Sequence, residues 1–253
     1  MKIADVRSLP LRIPFKTGGA SADLGGHKWD MLDFVLVRVE LENGVVGWGD
    51  AFAYNCREAV HSAVTHMVAP MVVGRDAEDI SNLMLDLQRR LHLFGRYGIT
   101  MFAISGLDIA LWDAAGKLAN QPLCKLLGGQ IRTDIPGYAS LFNYSDPEIV
   151  GEKTKKCIEE GYSFVKLHET GVAEVAAARN AAGDNTSIMV DTNCPWTLEK
   201  ARRMALSFRD YEIFWLEEPI FPPEDFLSLA RLRAETGIAI ATGENACTAF
   251  QFK

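Results

Sequence analysis

The sequence predicts an α/β protein in which an α+β domain precedes a series of βα units in a parallel sheet. The main observation is that four short apolar segments in the second half end in polar or charged residues, 23, 26 and 27 residues apart, at His168, Asp191, Glu217 and Glu244. One helix-like pattern fills each gap, an alternation typical of parallel βα units. The second observation is that residues 1–120 show strand and turn patterns followed by helical ones.

The first domain begins with a loosely alternating segment, residues 2–13, which predicts a strand. Residues 33–41 and 45–50 predict two strands that meet at Asn43-Gly44, a strong hairpin signal. Apolar spacing then predicts helices at 57–72, 78–94 and 99–119. We therefore predict an α+β domain over residues 1–120, in which a strand meander packs on helices.

Two segments of this domain predict loops with a functional role. Residues 16–30 are rich in glycine and polar residues, which favours a long mobile loop, and such loops are often functional. His27 and Trp29 lie in it and are candidates for substrate contact, although a solvated loop is an equal alternative. Residues 51–56 predict a second loop.

The second domain, residues 121–253, carries the βα units. Residues 135–141 predict a first strand, and Asp146-Pro147 predicts the start of a helix over 146–160. With the four segments above this makes five strands. Because an eight-stranded βα barrel needs about 250 residues by itself, we expect the chain to be a fragment of a longer barrel protein.

Carboxylates end three of these strands. The carboxyl ends of barrel strands meet at one face, so Asp191, Glu217 and Glu244 are expected to converge. Their mutual repulsion would require a cation, and oxygen-only ligands suit Mg²⁺. The alternative for any single one of them is a helix N-cap or a solvated turn. Four polar strand ends in succession favour the metal site.

The remaining strand end carries a basic pair. Lys166 and His168 are two residues apart on a strand and therefore point to the same side. A basic pair beside a divalent metal indicates proton-transfer chemistry. The alternatives are a Lys166 that reaches for solvent at the rim and a His168 that only makes structural hydrogen bonds.

The composition limits the classes of partner. A net charge of −7 and a pI of about 5.3, with no basic cluster, argue against nucleic-acid or anionic-membrane binding. No uninterrupted apolar run reaches about 18 residues, and the N-terminus lacks the apolar stretch of a secretory signal. The five cysteines lack CxxC spacing, which favours reduced thiols in a cytoplasmic protein.

The segment 103–117, followed by 122–128, resembles the signature helix of the mandelate racemase / muconate lactonizing enzyme family of the enolase superfamily. The Lys-x-His, Asp-x-Asn, Glu-Glu-Pro and Gly-Glu-Asn strand ends match that family's barrel motifs in the same order. The resemblance implies an α+β capping domain on a modified (β/α)7β barrel of the TIM type, with about five of its strands present. Glutamate at the fifth strand resembles the mandelate racemase branch.

The resemblance also implies roles for site residues. It makes Asp191, Glu217 and Glu244 the Mg²⁺ ligands and excludes Glu218. It places the two loops of the capping domain over the substrate, and it makes Asn193 a residue that contacts the substrate or supports a ligand. The substrate-contacting residues expected from the loops are His27, Trp29 and Tyr54.

The chemistry that the resemblance implies is abstraction of the proton next to a carboxylate, through an enediolate that Mg²⁺ stabilises. Many family members carry Lys-x-Lys where this chain has Lys166 and His168. Histidine needs a smaller pKa adjustment than lysine to act as a base near neutral pH. We expect Lys166 to contact the substrate carboxylate and to lower the pKa of His168. Alternatively His168 is a spectator, and the base lies beyond residue 253.

We predict a lyase that dehydrates a sugar acid to a 2-keto-3-deoxy acid, by analogy with relatives. The first alternative is an isomerase, a racemase or epimerase of a 2-hydroxy acid; others are a catalytically silent metal-binding homologue and, more weakly, a Schiff-base aldolase using Lys166. The expected partners are a small-molecule carboxylate substrate and, from the resemblance, further copies of the chain in a dimer or octamer.

Overall fold

The computed structural model describes residues 1–19, 22–24, 27–129 and 132–252, with only the backbone of residues 22–24, 27 and 28. The side chain of His27, a predicted substrate contact, therefore lies outside the described part. The strands of the first half are β1 (Ile3–Pro14), β2 (Ala22–Leu24), β3 (His27–Trp29), β4 (Met31–Leu41) and β5 (Val46–Phe52). Its helices are α1 (Arg57–Ala63), α2 (Ala69–Val72), α3 (Ile80–Arg90), α4 (Ile99–Ala119) and α5 (Leu123–Leu126).

The first half contains an antiparallel sheet of order β1-β4-β5. The predicted hairpin between β4 and β5 is confirmed, and Gly44 adopts the positive φ of 82° that its turn requires. A π-helical turn over Val64–Val68 joins α1 to α2, so the helix predicted over 57–72 forms as one continuous segment. The long loop predicted over 16–30 contains regular structure, because β2 and β3 pair there as a short antiparallel hairpin.

Helix α4 packs directly on β5 because glycines remove the side chains between them. A Cβ on Gly47 would lie 2.0 Å from the Ala110 carbonyl oxygen, and one on Gly49 would lie 2.1 Å from the Gly106 carbonyl oxygen. Both distances are shorter than the 3.0 Å below which real Cβ contacts are essentially never found. These glycines therefore set the distance between sheet and helix.

Helix α4 is long and apolar enough to cross a membrane by length and mean hydropathy, although charged and polar residues interrupt its apolar sequence. Half of the apolar stretch is buried inside the protein. Its buried residues join the core cluster that also contains Val35, Val37 and Val39 of β4. The hydropathy of α4 is accounted for by its place in this core.

The second half holds the parallel sheet. Within the described residues it has five strands in the order β10-β9-β8-β7-β6. The strands are β6 (Ala139–Ser140), β7 (Phe164–Leu167), β8 (Ser187–Asp191), β9 (Trp215–Glu217) and β10 (Ile240–Ala241). The intervening helices are α6 (Pro147–Glu159), α7 (Val172–Ala182), α8 (Leu198–Phe208) and α9 (Phe226–Thr236). The predicted run of five strands with a helix in each gap is confirmed.

The start of α6 and the extent of β6 can be compared with the predicted boundaries. Asp146 caps α6 as predicted, because its side chain accepts from the backbone N–H groups of Glu148 and Ile149. The first strand is shorter than the predicted 135–141, since only Ala139 and Ser140 pair with β7. The predicted division of the chain at residue 120 stays a prediction, although the two halves have separate cores.

A buried ion pair joins β1 to β4 in the first half. The side chain of Asp33 is 1% exposed, and both of its oxygens accept from Arg12, at 2.8 Å from Nε and 3.1 Å from Nη2. Arg57 Nη1 lies 3.5 Å away. The hydrogen bonds from Arg12 lower the pKa of Asp33, and this outweighs the opposing effect of burial. The carboxylate is therefore stabilised in its charged form.

Replacing Asp33 by Asn is expected to lower the free energy of unfolding by about 1–3 kcal/mol at pH 7, less than for a fully buried pair because Arg12 is half exposed. Since the folded-state pKa is lowered, this stabilisation is fully present above about pH 3.9 and is lost as the pH falls through the lowered value. Urea unfolding at pH 7 and pH 3 measures both effects. The control is Asp5→Asn, an exposed partner of Arg7, which is expected to change stability by less than about 0.5 kcal/mol.

Candidate active site at the carboxyl ends of the strands

Lys166 lies at the centre of the site. The parallel register places β7, β8 and β9 side by side, with Asp191 opposite Glu217. Lys166 is 8% exposed, and its Nζ donates to Asp191 Oδ2 at 2.9 Å and to Glu217 Oε1 at 3.1 Å. Burial lowers the pKa of Lys166, but the two carboxylates outweigh it and the net pKa is raised. Lys166 is therefore a buried side chain whose charged form the two carboxylates favour, not the solvent-seeking side chain of the alternative.

His168 follows β7 and lies on the same side. Its Nδ1 is hydrogen-bonded to the Leu141 carbonyl oxygen, and its Nε2 lies 3.4 Å from Asp191 Oδ2. Because a carbonyl oxygen can only accept, the hydrogen-bond network assigns a proton to Nδ1 and leaves Nε2 to face the site. The ring nitrogen that can exchange a proton with a substrate is therefore Nε2.

The expected lowering of the pKa of His168 by Lys166 is not the net result. Burial is the largest single effect and lowers this pKa. The hydrogen bond to Asp191, the bond to the Leu141 carbonyl and the charge of Asp191 together outweigh it, so the pKa of His168 is raised overall. The charge of Lys166 does act in the expected direction, and it is the smallest of these effects. The reason is that Asp191 lies between the two basic groups and compensates the ammonium charge.

Asp191 holds the site together from β8. It is 1% exposed, and its Oδ1 accepts from both the backbone N–H and the side-chain amide of Asn193, each at 3.1 Å. Burial raises the pKa of Asp191, but the hydrogen bonds from His168 and Lys166 lead to a net lowering. Of the two roles considered for Asn193, the structure shows a side chain that supports Asp191.

Glu217 has a second hydrogen-bond partner that the sequence analysis missed. Its Oε2 accepts from Trp215 Nε1 at 2.9 Å, while Oε1 accepts from Lys166. Trp215 lies two residues earlier on β9, so side-chain alternation along the strand was the available signal. The indole fixes the orientation of the carboxylate.

Glu218 and Glu244 complete the acidic group. Glu218 is 3% exposed and accepts from the Asn245 amide at 3.2 Å and from Cys194 Sγ at 3.5 Å, so partners other than Lys166 hold its carboxylate. Partial burial of the carboxyl group and then the charges of Glu218 and Asp191 raise the pKa of Glu244 to about 7. Glu244 as a whole residue is exposed, so solvent weakens this effect. Burial and Glu218 raise the pKa of Cys194 to about 12, which favours the protonated thiol over the reactive thiolate.

The donor set fits a hard divalent cation in its chemistry. Among the described residues, no group of three or more His, Cys, Asp or Glu side chains is arranged tightly enough to hold a metal ion. The ammonium of Lys166 lies instead between Asp191 and Glu217. After burial, the neighbouring carboxylates are the next largest causes of the raised pKa of Glu244, and a cation such as Mg²⁺ among these oxygens would oppose their effect.

An aromatic cluster links the two predicted loops to the site. The rings of Trp29 and Tyr54 lie 5.4 Å apart between centroids, and Trp29 lies 5.7 Å from Phe142. Phe142 follows Leu141, the residue that binds His168, and the sequence analysis missed it. The structure therefore brings two of the predicted substrate contacts, Trp29 and Tyr54, to the segment that contacts His168.

An α+β half followed by parallel βα units, with a Lys-x-His pair and carboxylates at the strand ends, defines a protein of the enolase superfamily. Residues 22–128 match the N-terminal domain of mandelate racemase / muconate lactonizing enzyme, and residues 150–253 match the enolase C-terminal domain-like family. The chain belongs to the mandelate racemase / muconate lactonizing enzyme family.

Among similar proteins, a 3,6-anhydro-alpha-L-galactonate cycloisomerase of Streptomyces coelicolor is 34% identical over 96% of this chain and 67% of its own length. An arabinonate dehydratase of Saccharolobus solfataricus is 33% identical over 87% of this chain and 61% of its own length. A crystal structure of a racemase from Streptomyces coelicolor A3(2) with bound magnesium has a TM-score of 0.89 at 32% identity, covering 96% of this chain and 69% of that one. The chain spans about two-thirds of the length of these relatives.

Proposed function

We propose that this chain provides the base and the metal-binding carboxylates of an enzyme that abstracts the proton next to a substrate carboxylate, and that the enzyme dehydrates a sugar acid. The observation that carries the proposal is that Lys166 Nζ and His168 Nε2 meet at one oxygen of Asp191, at 2.9 and 3.4 Å. A cation and a base are thus held side by side. The arabinonate dehydratase among the relatives supports the choice of reaction.

In this proposal Lys166 pairs with the substrate carboxylate, because its raised pKa keeps it charged. His168 Nε2 accepts the proton from C2, and Leu141 holds the proton already on Nδ1. Mg²⁺, held by Asp191, Glu217 and Glu244, would supply positive charge that stabilises the enediolate. The C3 hydroxyl then leaves with the proton that His168 took from C2, which forms water and an enol, and the enol tautomerises to the 2-keto-3-deoxy acid.

Proton NMR in D₂O tests this function directly. The protein is incubated with Mg²⁺ and a panel of sugar acids and 2-hydroxy acids. Loss of the C2 proton signal with new C3 methylene signals is the expected result. Exchange at C2 without elimination would indicate a racemase or epimerase instead. No change over a broad panel would favour a catalytically silent homologue.

A cycloisomerase is the second candidate, because the relative of that name is 34% identical over nearly the whole chain. The same NMR experiment separates it from a dehydratase, since an isomer forms without loss of water. The Schiff-base aldolase is disfavoured by the structure. An aldolase lysine must be a neutral amine to attack a carbonyl, whereas two carboxylates keep Lys166 protonated.

We also propose a cytoplasmic protein that assembles with copies of itself. The five cysteines are all free thiols, which supports a reducing compartment. Light scattering on the purified protein tests the expected dimer or octamer.

A further inference from the structure

The segment 141–145, which follows β6, is held against the end of β7 by side chains. The Leu141 backbone N–H donates to the Lys166 carbonyl at 2.9 Å, which is the last regular contact between the strands. Beyond it, the Asn143 amide donates to the His168 carbonyl at 2.7 Å. The carbonyl of Leu141 lies between these two points and binds His168 Nδ1. Segment 141–145 therefore supplies the carbonyl that contacts Nδ1 of His168.

Glu169 anchors the far end of segment 141–145. It is 2% exposed, and one of its carboxylate oxygens accepts from the Tyr144 backbone N–H at 2.7 Å. Both oxygens accept from the Ser145 backbone N–H at 3.2 Å. Ser145 has a φ of 50°, a conformation that residues other than glycine rarely adopt. The buried carboxylate compensates this unfavourable turn, because both N–H groups point at it.

We propose that Glu169 is a positioning residue that keeps His168 in the Nδ1–H form, through segment 141–145. With Tyr144 and Ser145 bound to Glu169, the Leu141 carbonyl stays at Nδ1, and in the neutral ring Nε2 then carries no proton and can accept one. Without that anchor Leu141 withdraws, and the proton of the neutral ring moves to Nε2, where Asp191 Oδ2 can accept it at 3.4 Å. This inference rests on the proposed function, in which Nε2 is the base.

The same segment also contacts the first half of the chain. The Tyr144 hydroxyl donates to the Thr17 carbonyl oxygen at 3.2 Å. The Tyr144 ring packs on Gly19, where a Cβ would lie 2.4 Å from the ring. Tyr144 thus joins the anchored segment to the beginning of the predicted substrate-covering loop. Glu169 binds the backbone N–H of Tyr144, whereas Thr17 binds its hydroxyl. Removing the hydroxyl therefore tests the contact with Thr17 without breaking the bond to Glu169.

The tautomer is measured by NMR of the full chain with ¹⁵N-labelled histidine, at the alkaline end of the titration where the rings are neutral. The chain has five histidines, and His168→Asn assigns the signal of interest. The wild type is expected to show a protonated Nδ1 and a bare Nε2. In Glu169→Ala the proton is expected on Nε2 or on both nitrogens in exchange. In Glu169→Gln, which keeps one acceptor oxygen, the fraction of rings with a protonated Nδ1 is expected to lie between the fractions in the wild type and in Glu169→Ala.

Glu174→Ala is the matched control, because it removes a carboxylate whose charge acts on Glu169 and which, among the described residues, accepts no hydrogen bond from segment 141–145. It is expected to leave the tautomer unchanged. A Glu169→Ala variant with the wild-type tautomer would overturn the proposal. If that variant does not fold, Glu169→Gln decides: it must shift the tautomer measurably, and a spectrum identical to that of the wild type refutes the role.

Kinetics give a second readout. Exchange at C2 is expected to slow by about ten- to a hundredfold in Glu169→Ala, mostly in kcat, with partial rescue by Gln. Tyr144→Phe is expected to raise KM with little change in kcat, since it weakens only the contact with Thr17. If the wild type catalyses no exchange, the proposed function fails while the NMR result on Glu169 still stands. An unaltered exchange rate in Glu169→Ala argues against the positioning role.

Discussion

Replacing Glu217 by Gln is expected to abolish proton abstraction, with a loss of at least about a thousandfold, while the fold stays intact. The amide oxygen can still accept from Trp215, but the amide nitrogen then faces the ammonium of Lys166 and the site loses one negative charge. Little stability is lost, because the carboxylate is partly exposed at the strand end. Exchange at C2 and calorimetric titration with Mg²⁺ measure the two consequences.

The control for this substitution is Glu159→Gln, an exposed glutamate on α6 outside the site. It removes the same charge from the protein, and both the exchange rate and the Mg²⁺ affinity are expected to match the wild type. Turnover retained in Glu217→Gln would refute the assignment of Glu217 to the metal site. A loss of activity accompanied by unfolding, seen by circular dichroism, would point to a structural role.

Replacing His168 by Asn is expected to lower the rate of exchange at C2 by at least about a hundredfold, because the variant has no base at the position of Nε2. Binding of a substrate carboxylate is expected to persist, since Lys166 keeps its two carboxylate partners. The measurement is the exchange rate together with the dissociation constant of an unreactive substrate analogue. The His168 side chain is 25% exposed, so added imidazole is expected to restore part of the exchange.

His61→Asn serves as the control, because His61 binds Ser8 in the other half of the chain. Its exchange rate is expected to equal that of the wild type. An undiminished rate in His168→Asn would show that His168 is a spectator and that the base lies on the opposite face of the substrate. Loss of analogue binding together with exchange would instead assign His168 to substrate binding.

The sequence predicted most of the fold because the fold is repetitive. Each βα unit carries its own apolar strand and helix pattern, so the five parallel strands follow from local signals. Strand ends in register then place Asp191 beside Glu217, which the spacing already indicated. Errors occurred where local signals are weak: residues 135–141 form only a two-residue strand, and a short hairpin lies within residues 16–30.

Apart from Asn193, the sequence did not predict the hydrogen-bond and packing partners of the site residues. It missed three contacts: the hydrogen bond from Trp215 to Glu217, the packing of Phe142 against Trp29, and the hydrogen bonds from segment 141–145 to Glu169. The direction of the pKa of His168 was also missed, because it depends on Asp191 lying between His168 and Lys166. The roles of Lys166 and His168 in catalysis stay predictions until the variants are measured.

The sequence by itself determined the fold class, the family and the identity of the charged groups at the strand ends. Those properties follow from the periodicity of apolar residues and the order of the motifs, which depend on neighbours along the chain. Only the tertiary structure decided which atoms meet: the ammonium of Lys166 between two carboxylates, and the Leu141 carbonyl at Nδ1 of His168. Hydrogen bonds and charge effects vary over distances of about an ångström. Segments more than twenty residues apart reach that precision only when the chain is packed.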